Sequence, residues 1–478
     1  MALPGLSLPG LGLQPSATPT YGGNAPPPTE PAIRREDLPP QSEWRFEAAF
    51  GQPYDIRLIS GHAELFGVEL APKQTYSLSG CKGAIFTWHG CQLEITGDSE
   101  SEYSAQETEY AVEWLNLHGM LETAREEAQH DGGPRVLVVG PDHAGKTSLV
   151  RSVAAWAVKA GRAPTVLNLD PREGLLAPPG SLTAVAVSSQ VDVENSYGIT
   201  PISGPTTTPV QTPLIYSYPY RTSEKPEIYK ALITRMALSV TNRLEEDAVA
   251  KQSGIIIDTP GSLNDPKSNY SVINHIVSEF NINLIISTGS EKLLNDLTRR
   301  FSANKAADEA IPVLRVTKPG GAVERDAAYM KQLRTSQIRQ YFFGNSKEPL
   351  NPHSHSINYG ELNIYRAKSG ADTANNTSMY GGDDDDYSPE MNTASASANF
   401  EKITPSNAMT GSLVAIKFCP GNSDEDTLRD SAVMGFLYVA EVDEARKKVR
   451  FLAPHPQRWG DRALVWGSWP EAVADLLT

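Results

Sequence analysis

Val136-Leu137-Val138-Val139-Gly140-Pro141-Asp142-His143-Ala144-Gly145-Lys146-Thr147 is an apolar run that breaks into G-x4-G-K-T. Four consecutive apolar residues before a glycine read as a buried strand. Ser148-Leu149-Val150-Arg151-Ser152-Val153 and Trp156 follow at helical spacing. A strand, a glycine-bounded loop and a helix N-terminus are the parts that converge backbone N–H groups on phosphates. In such a loop Lys146 reaches the β and γ phosphates, and the Thr147 hydroxyl binds Mg2+. Gly140, His143, Ala144, Gly145 and Ser148 complete the expected nucleotide contacts.

Working outward, the stretch from 131 to 344 alternates apolar strands with helical patterns. The candidate strands are Arg135–Val139, Thr165–Leu169, Gly254–Ile257, Ile282–Ile286 and Ile311–Val316. That alternation predicts a mostly parallel sheet covered by helices. Asp170 and Asp258 each end one of those strands, on the side where open α/β sheets bind ligands. Each could hold Mg2+, accept a proton from a nucleophile, or cap a helix. Asp258-Thr259-Pro260-Gly261 also fits the D-x-x-G of a GTPase. The companion N/T-K-x-D motif fails, because Thr317-Lys318-Pro319-Gly320 ends in glycine. Guanine selectivity therefore has no evident source, and ATP is the expected nucleotide. Arg325, five residues beyond Gly320, reads equally as a lid closing on phosphates or as an ordinary surface charge.

The flanking texture differs. Residues 1–42 are rich in Pro, Gly, Ser and Thr and predict a disordered tail. Residues 43–103 carry short alternating runs punctuated by glycines, predicting a small β-sandwich or barrel. Residues 104–130 hold Tyr110, Trp114, Leu115, His118 and Leu121 at helical spacing and predict a linking helix. Residues 345–478 return to β texture, interrupted from about 368 to 409 by a polar stretch with four consecutive aspartates, Asp383–Asp386. Such a run repels itself and is read as a solvated insert, not a metal site.

Composition bounds the function. The 478 residues have 57 acidic against 42 basic side chains, a formal net charge of -15. A broad nucleic-acid grip is usually basic, so any RNA contact is expected to be local or indirect. Three cysteines are too few for a disulfide framework, and Cys81 and Cys91 lack zinc spacing. With no secretory or membrane-spanning pattern, the reading is an intracellular protein.

Further stretches carry a resemblance. They are Ala63-Glu64-Leu65-Phe66-Gly67, Phe86-Thr87-Trp88-His89-Gly90, Val138-Val139-Gly140-Pro141, Lys318 to Arg325 and Ile338-Arg339-Gln340-Tyr341-Phe342-Phe343-Gly344. Together they resemble the eukaryotic polynucleotide 5'-hydroxyl-kinase family, in its branch of pre-mRNA cleavage and polyadenylation. Fungal members of that branch are the ATP-binding subunit of cleavage factor IA. The resemblance spans about residues 43–478, except the acidic insert. It implies an N-terminal β-sandwich, a central P-loop domain and a C-terminal α/β domain. It also implies a nuclear role in mRNA 3'-end formation, beside other cleavage-factor subunits. Among these is the scaffold subunit that binds the RNA polymerase II C-terminal domain. A tRNA-processing role is left open.

By the same resemblance Glu43 and Lys82 meet the adenine, and Asp170 is the carboxylate that activates a 5'-hydroxyl in active kinases. The chain departs from those kinases in three places. Asp170-Pro171-Arg172-Glu173-Gly174 stands where they have Asp-x-Gly-Gln-Gly. Ser262 stands where a Trp stacks on RNA, and Met330 stands where a second lid Arg is placed. The expectation is retained ATP binding with vestigial roles for Asp170 and Arg325. The alternative is an active RNA 5'-hydroxyl kinase.

Overall fold

The computed structural model describes residues 33–128, 132–190, 192–194, 213–221, 224–303, 306, 309–345, 347, 349–368, 399–456, 459–474 and 476. Most of the expected tail and residues 369–398 of the expected insert lie outside the described residues. Both boundaries need correction. The first described strand, β1 (Ile33–Leu38), falls inside the expected tail, and Phe400–Ile403 forms a strand inside the expected insert.

After β1 come β2 (Ser42–Ala48), β3 (Tyr54–Gly61), β4 (Glu64–Leu65), β5 (Val68–Glu69), β6 (Thr75–Leu78), β7 (Cys81–Thr87), β8 (Cys91–Thr96) and β9 (Ser101–Ala105). They form two sheets, β1-β8-β3-β6 and β5-β4-β7-β2-β9. Tyr54, Ile56 and Leu58 of β3 alternate inward against Phe46, Ile85, Leu93 and Ile95, the pattern of a sandwich core. The charged β1 pairs with β8 from Ile33↔Thr96 to Leu38↔Cys91. Its side chains at 34, 35 and 36 are charged, which disguises it as tail in the sequence.

Helix α1 (Glu109–Glu127) leads to β10 (Arg135–Val139), α2 (Lys146–Lys159), β11 (Thr165–Asn168), β12 (Ser181–Ala186) and β13 (Leu214–Ser217). Then follow α3 (Pro226–Glu246), α4 (Ala248–Ser253), β14 (Ile255–Asp258), α5 (Ser271–Glu279), β15 (Leu284–Thr288), α6 (Glu291–Phe301), β16 (Val313–Val316) and α7 (Ala327–Phe343). The sheet order is β13-β12-β11-β14-β10-β15-β16. Five strands are parallel. β12 and β13 extend the sheet antiparallel, an addition the sequence reading missed. From Val136 onward β10 is apolar because both its faces are covered: Leu137 and Val139 pack with α3 and α5, Val136 and Val138 with α1 and α2. Thus α1 is more than a linker. Trp114, Leu117 and Leu121 belong to the core beneath α2, whereas Leu115 is 42% exposed.

The last unit comprises β17 (His353–Asn358), β18 (Asn363–Ala367), β19 (Phe400–Ile403), β20 (Leu413–Pro420), α8 (Glu425–Asp430), β21 (Val433–Asp443), β22 (Lys448–Ala453) and β23 (Arg462–Trp466). They form one sheet in the order β17-β22-β21-β20-β23-β18-β19. Ile338, Tyr341 and Phe342 of α7 bury against Ala415, Phe436 and Tyr438 of this sheet, joining it to the central domain. On the opposite side, Gly67 joins the sandwich to α2. It has φ 79°, and a Cβ there would lie 2.7 Å from the Ser152 backbone, so only glycine permits this approach.

Candidate functional site: a cavity where three domains meet

The loop between β10 and α2 turns into the helix at Gly145, whose φ of 81° suits glycine. Helix α2 begins with Lys146, so its first free N–H groups face the loop. Lys146 is buried, and its Nζ donates to the Pro141 carbonyl at 2.8 Å. Burial holds its ammonium below the usual lysine range, although Asp258, Asp142 and Asp170 oppose that shift. An ammonium folded back onto its own loop, and destabilised by burial, is suited to an incoming anion.

Thr147 Oγ1 donates to Asp258 Oδ2 at 2.6 Å. Asp258 ends β14 and is 3% exposed. Burial pushes its carboxyl up to about 6, against the pull of Lys146 and Thr147. Its second oxygen, Oδ1, is buried without a hydrogen-bond partner. A buried carboxylate oxygen left open beside a Thr hydroxyl fits a hydrated cation. Among the described residues no cluster of three His, Cys, Asp or Glu forms a separate metal site.

A cavity of about 710 Å³ opens over this loop. Its walls come from all three domains: Phe66 and Lys82 from the sandwich, residues 142–148 from the loop, and Trp469 and Glu471 from the C-terminal unit. Arg325 lines it as well, from the segment leading into α7. A smaller hollow of about 80 Å³ adjoins it, lined by Phe66, Lys82, Gly83, Phe86, Tyr110 and Ser148 among others.

The expected residues fall unevenly around these spaces. His143, Ala144, Gly145, Lys146, Thr147, Ser148, Lys82 and Arg325 line the large cavity. Gly140, Asp170 and Asp258 stand behind its wall. Glu43 lines neither space. It is fully buried and accepts from Arg45 and from the Tyr110 hydroxyl, so it bears on the smaller hollow through Tyr110. Lys82 pairs with Glu47 at 2.6 Å and sits 5.0 Å from the Tyr329 ring.

Asp170 is also fully engaged. Arg172 Nη2 donates to its Oδ2 at 2.7 Å and Arg172 Nε to its Oδ1 at 3.0 Å. The same guanidinium reaches back to Asp142, at 2.7 and 3.0 Å. Arg325 is held by Glu173, with Nη1 3.1 Å from Oε2. Arg172 and Glu173 were visible in the sequence only as departures from a motif. Their engagement with Asp170 and Arg325 was missed. The available signal was a cation two residues and an acid three residues beyond Asp170. Arg151 was missed too. It stacks 3.9 Å from the Phe66 ring, and burial pulls its guanidinium down to about 9, with Cys81 and Glu173 opposing.

Comparison with known proteins agrees with this architecture. The family model described as the N-terminal beta-sandwich domain of polyadenylation factor matches residues 37–128. The model of the mRNA cleavage and polyadenylation factor CLP1 P-loop matches 140–344. The model of the pre-mRNA cleavage complex II protein Clp1 matches 350–471. The mRNA cleavage and polyadenylation factor CLP1 of Phaeosphaeria nodorum is 46% identical, over 99% of this chain and 100% of the relative. That of Botryotinia fuckeliana is 44% identical over the same shares. A solved Clp1p–Pcf11p complex superposes with a TM-score of 0.80 at 25% identity, covering 92% of this chain and 98% of that one. A second structure, described by an extended Pcf11p–Clp1p interface and by ATP loss in a point mutant, gives 0.79 at 25% identity, covering 92% and 99%. Matched from residue 37 to residue 471 and aligned with relatives over nearly its whole length, the chain belongs to the CLP1 family of mRNA cleavage and polyadenylation factors.

Proposed function

We propose that this chain is the ATP-binding subunit of a nuclear pre-mRNA cleavage factor complex, serving endonucleolytic cleavage at mRNA 3' ends as a nucleotide-stabilised assembly platform. The names of its relatives support the process, and the Clp1p–Pcf11p neighbours support a scaffold partner of Pcf11 type. The observation that carries assembly over catalysis is the pairing of Arg172 with both oxygens of Asp170. With both oxygens held by one guanidinium, this carboxylate is not free to receive the hydrogen bond of an attacking 5'-hydroxyl. Arg325, meanwhile, is spent on Glu173. Ser262 offers no ring on which RNA could stack.

The P-loop fits a magnesium triphosphate. Lys146 would leave the Pro141 carbonyl for the phosphates, and the residues around Gly145 would supply backbone N–H donors. Thr147 and Asp258 would hold Mg2+, with Asp170 behind them. The metal would supply charge neutralisation between the phosphates. The base would enter the smaller hollow, against Phe66 and near Lys82, with Glu43 bracing Tyr110 from behind. Because the walls come from three domains, a bound nucleotide ties them together and stabilises the folded chain.

Thermal melting with and without Mg–ATP tests the reading. The wild-type melting temperature should rise by several degrees, and Lys146→Ala should abolish the rise. A parallel incubation with labelled ATP and a 5'-hydroxyl oligoribonucleotide should leave the RNA unlabelled. Label that disappears in Asp170→Asn would favour the kinase instead.

A further inference from the structure

Three separate segments meet at the rim of the large cavity. Asp142 belongs to the P-loop, Arg172 to the loop after β11, and Gly261 to the turn after β14. Arg172 donates to both oxygens of Asp142 and to both of Asp170, and the Gly261 N–H donates to Asp142 Oδ1 at 3.1 Å. We propose that Asp142 and Arg172 form a latch across the phosphate end of the cavity, and that Arg172 sets how fast a bound nucleotide leaves. The inference rests on the nucleotide-binding reading above.

Two features favour a latch over a purely structural pair. First, both side chains line the cavity and are part-exposed, 42% for Asp142 and 31% for Arg172, so the pair stands at an opening. Second, the Arg172 end is anchored from behind. Trp469 Nε1 donates to the Pro171 carbonyl at 3.0 Å, and Gln337 exchanges hydrogen bonds of 3.0 and 3.1 Å with Gly174. With that loop pinned on both sides of Arg172, separation occurs at the Asp142 contact. A planar guanidinium gripping two carboxylates has a defined open and closed arrangement, because its donors are fixed in one plane. Closed, it restrains the tip of the loop that surrounds the phosphates, and exchange waits on its opening.

The test is a chase experiment on the full chain. Protein loaded with a fluorescent ATP analogue and Mg2+ is mixed with excess unlabelled ATP, and release is followed. Arg172→Gln and Asp142→Asn should each accelerate release by about tenfold, the scale of one charge-assisted pair. The double variant should release no faster than Arg172→Gln alone, since that substitution already removes the Asp142 contact along with the bonds to Asp170. Arg172→Lys should recover part of the retention, which a general loosening of the fold would not. Unaltered release in both single variants, with wild type retaining the analogue, overturns the latch alone. Wild type that retains no nucleotide overturns the underlying reading and the latch with it.

Discussion

Arg325 and Glu173 meet face to face on the cavity wall, both guanidinium Nη atoms bonded to the two carboxylate oxygens. Burial pushes the Glu173 carboxyl up, but Arg325 outweighs it and holds the group below the usual range. Any phosphate that Arg325 is to bind must first win it from this partner. Glu173→Gln keeps the shape and removes the competing charge. Calorimetric titration should show Mg–ATP binding strengthened by about three- to tenfold, the scale of one charged hydrogen bond. Unaltered or weaker binding would remove Arg325 from the phosphate site.

Gly67 offers a way to separate the sandwich from the P-loop helix at the edge of the smaller hollow, with the Lys146 and Thr147 side chains left intact. A Cβ at this position would lie 2.7 Å from Ser152 Cα and carbonyl oxygen. Gly67→Val adds a left-handed backbone cost to that clash. Together they should destabilise the native contact by about 2–5 kcal/mol. Limited proteolysis should then cut the chain between the sandwich and the central domain faster than in wild type, and ATP affinity should fall. A variant as resistant as wild type would show that α2 tolerates the displacement.

The latch also has an acid signature. Hydrogen bonds from Arg172 hold the Asp142 carboxyl down at about 2, against an ordinary value of 3.8, with burial opposing. A depressed carboxylate lends stability that is fully present above its ordinary value and lost as pH falls from about 4 to about 2. Arg172→Gln should therefore be less stable than wild type at pH 6, and the gap should close by about pH 2. Urea denaturation across that range measures it. A gap independent of pH would mean that Arg172 stabilises the fold by packing alone.

Lys417 presents the opposite case, a cation the fold would be better without. It is 1% exposed within β20, and its ammonium reaches the Arg429 carbonyl at 3.4 Å. Burial pulls it down to about 8, with Cys419 and Asp430 opposing. For a base so shifted, stability is lost as pH falls from the ordinary lysine value toward 8. Lys417→Met should raise stability at pH 7 by about 1–3 kcal/mol and flatten the profile between pH 8 and 10. A lower melting temperature would show that the ammonium makes a necessary contact.

The central sheet and its phosphate loop were legible because one local pattern, an apolar run ending in glycine and lysine, has one physical use. The strands Arg135–Val139 and Ile255–Asp258 stand within a residue of where periodicity put them. β12 and β13 were not legible, since their antiparallel pairing is fixed across the sheet and not by neighbours in sequence. β1 was hidden for a related reason. Its charges at Arg34 and Arg35 look like tail until Glu102 and Glu94 of distant strands appear beside them. In the cavity, the residues of the P-loop could be named in advance. Arg172 and Glu173 could not be assigned roles, because what they grip depends on how three separated loops converge.

Ala367 pairs with Phe400 across the antiparallel strands β18 and β19. The polypeptide thus departs from the final sheet and rejoins it at adjacent positions, whatever its length between them. Closure entropy grows only logarithmically, by about 0.6 kcal/mol per doubling. Two strand ends held this close can thus be bridged by inserts of quite different length at nearly equal cost in closure entropy. The excursion is also the natural place to splice in a reporter while leaving the sheet intact.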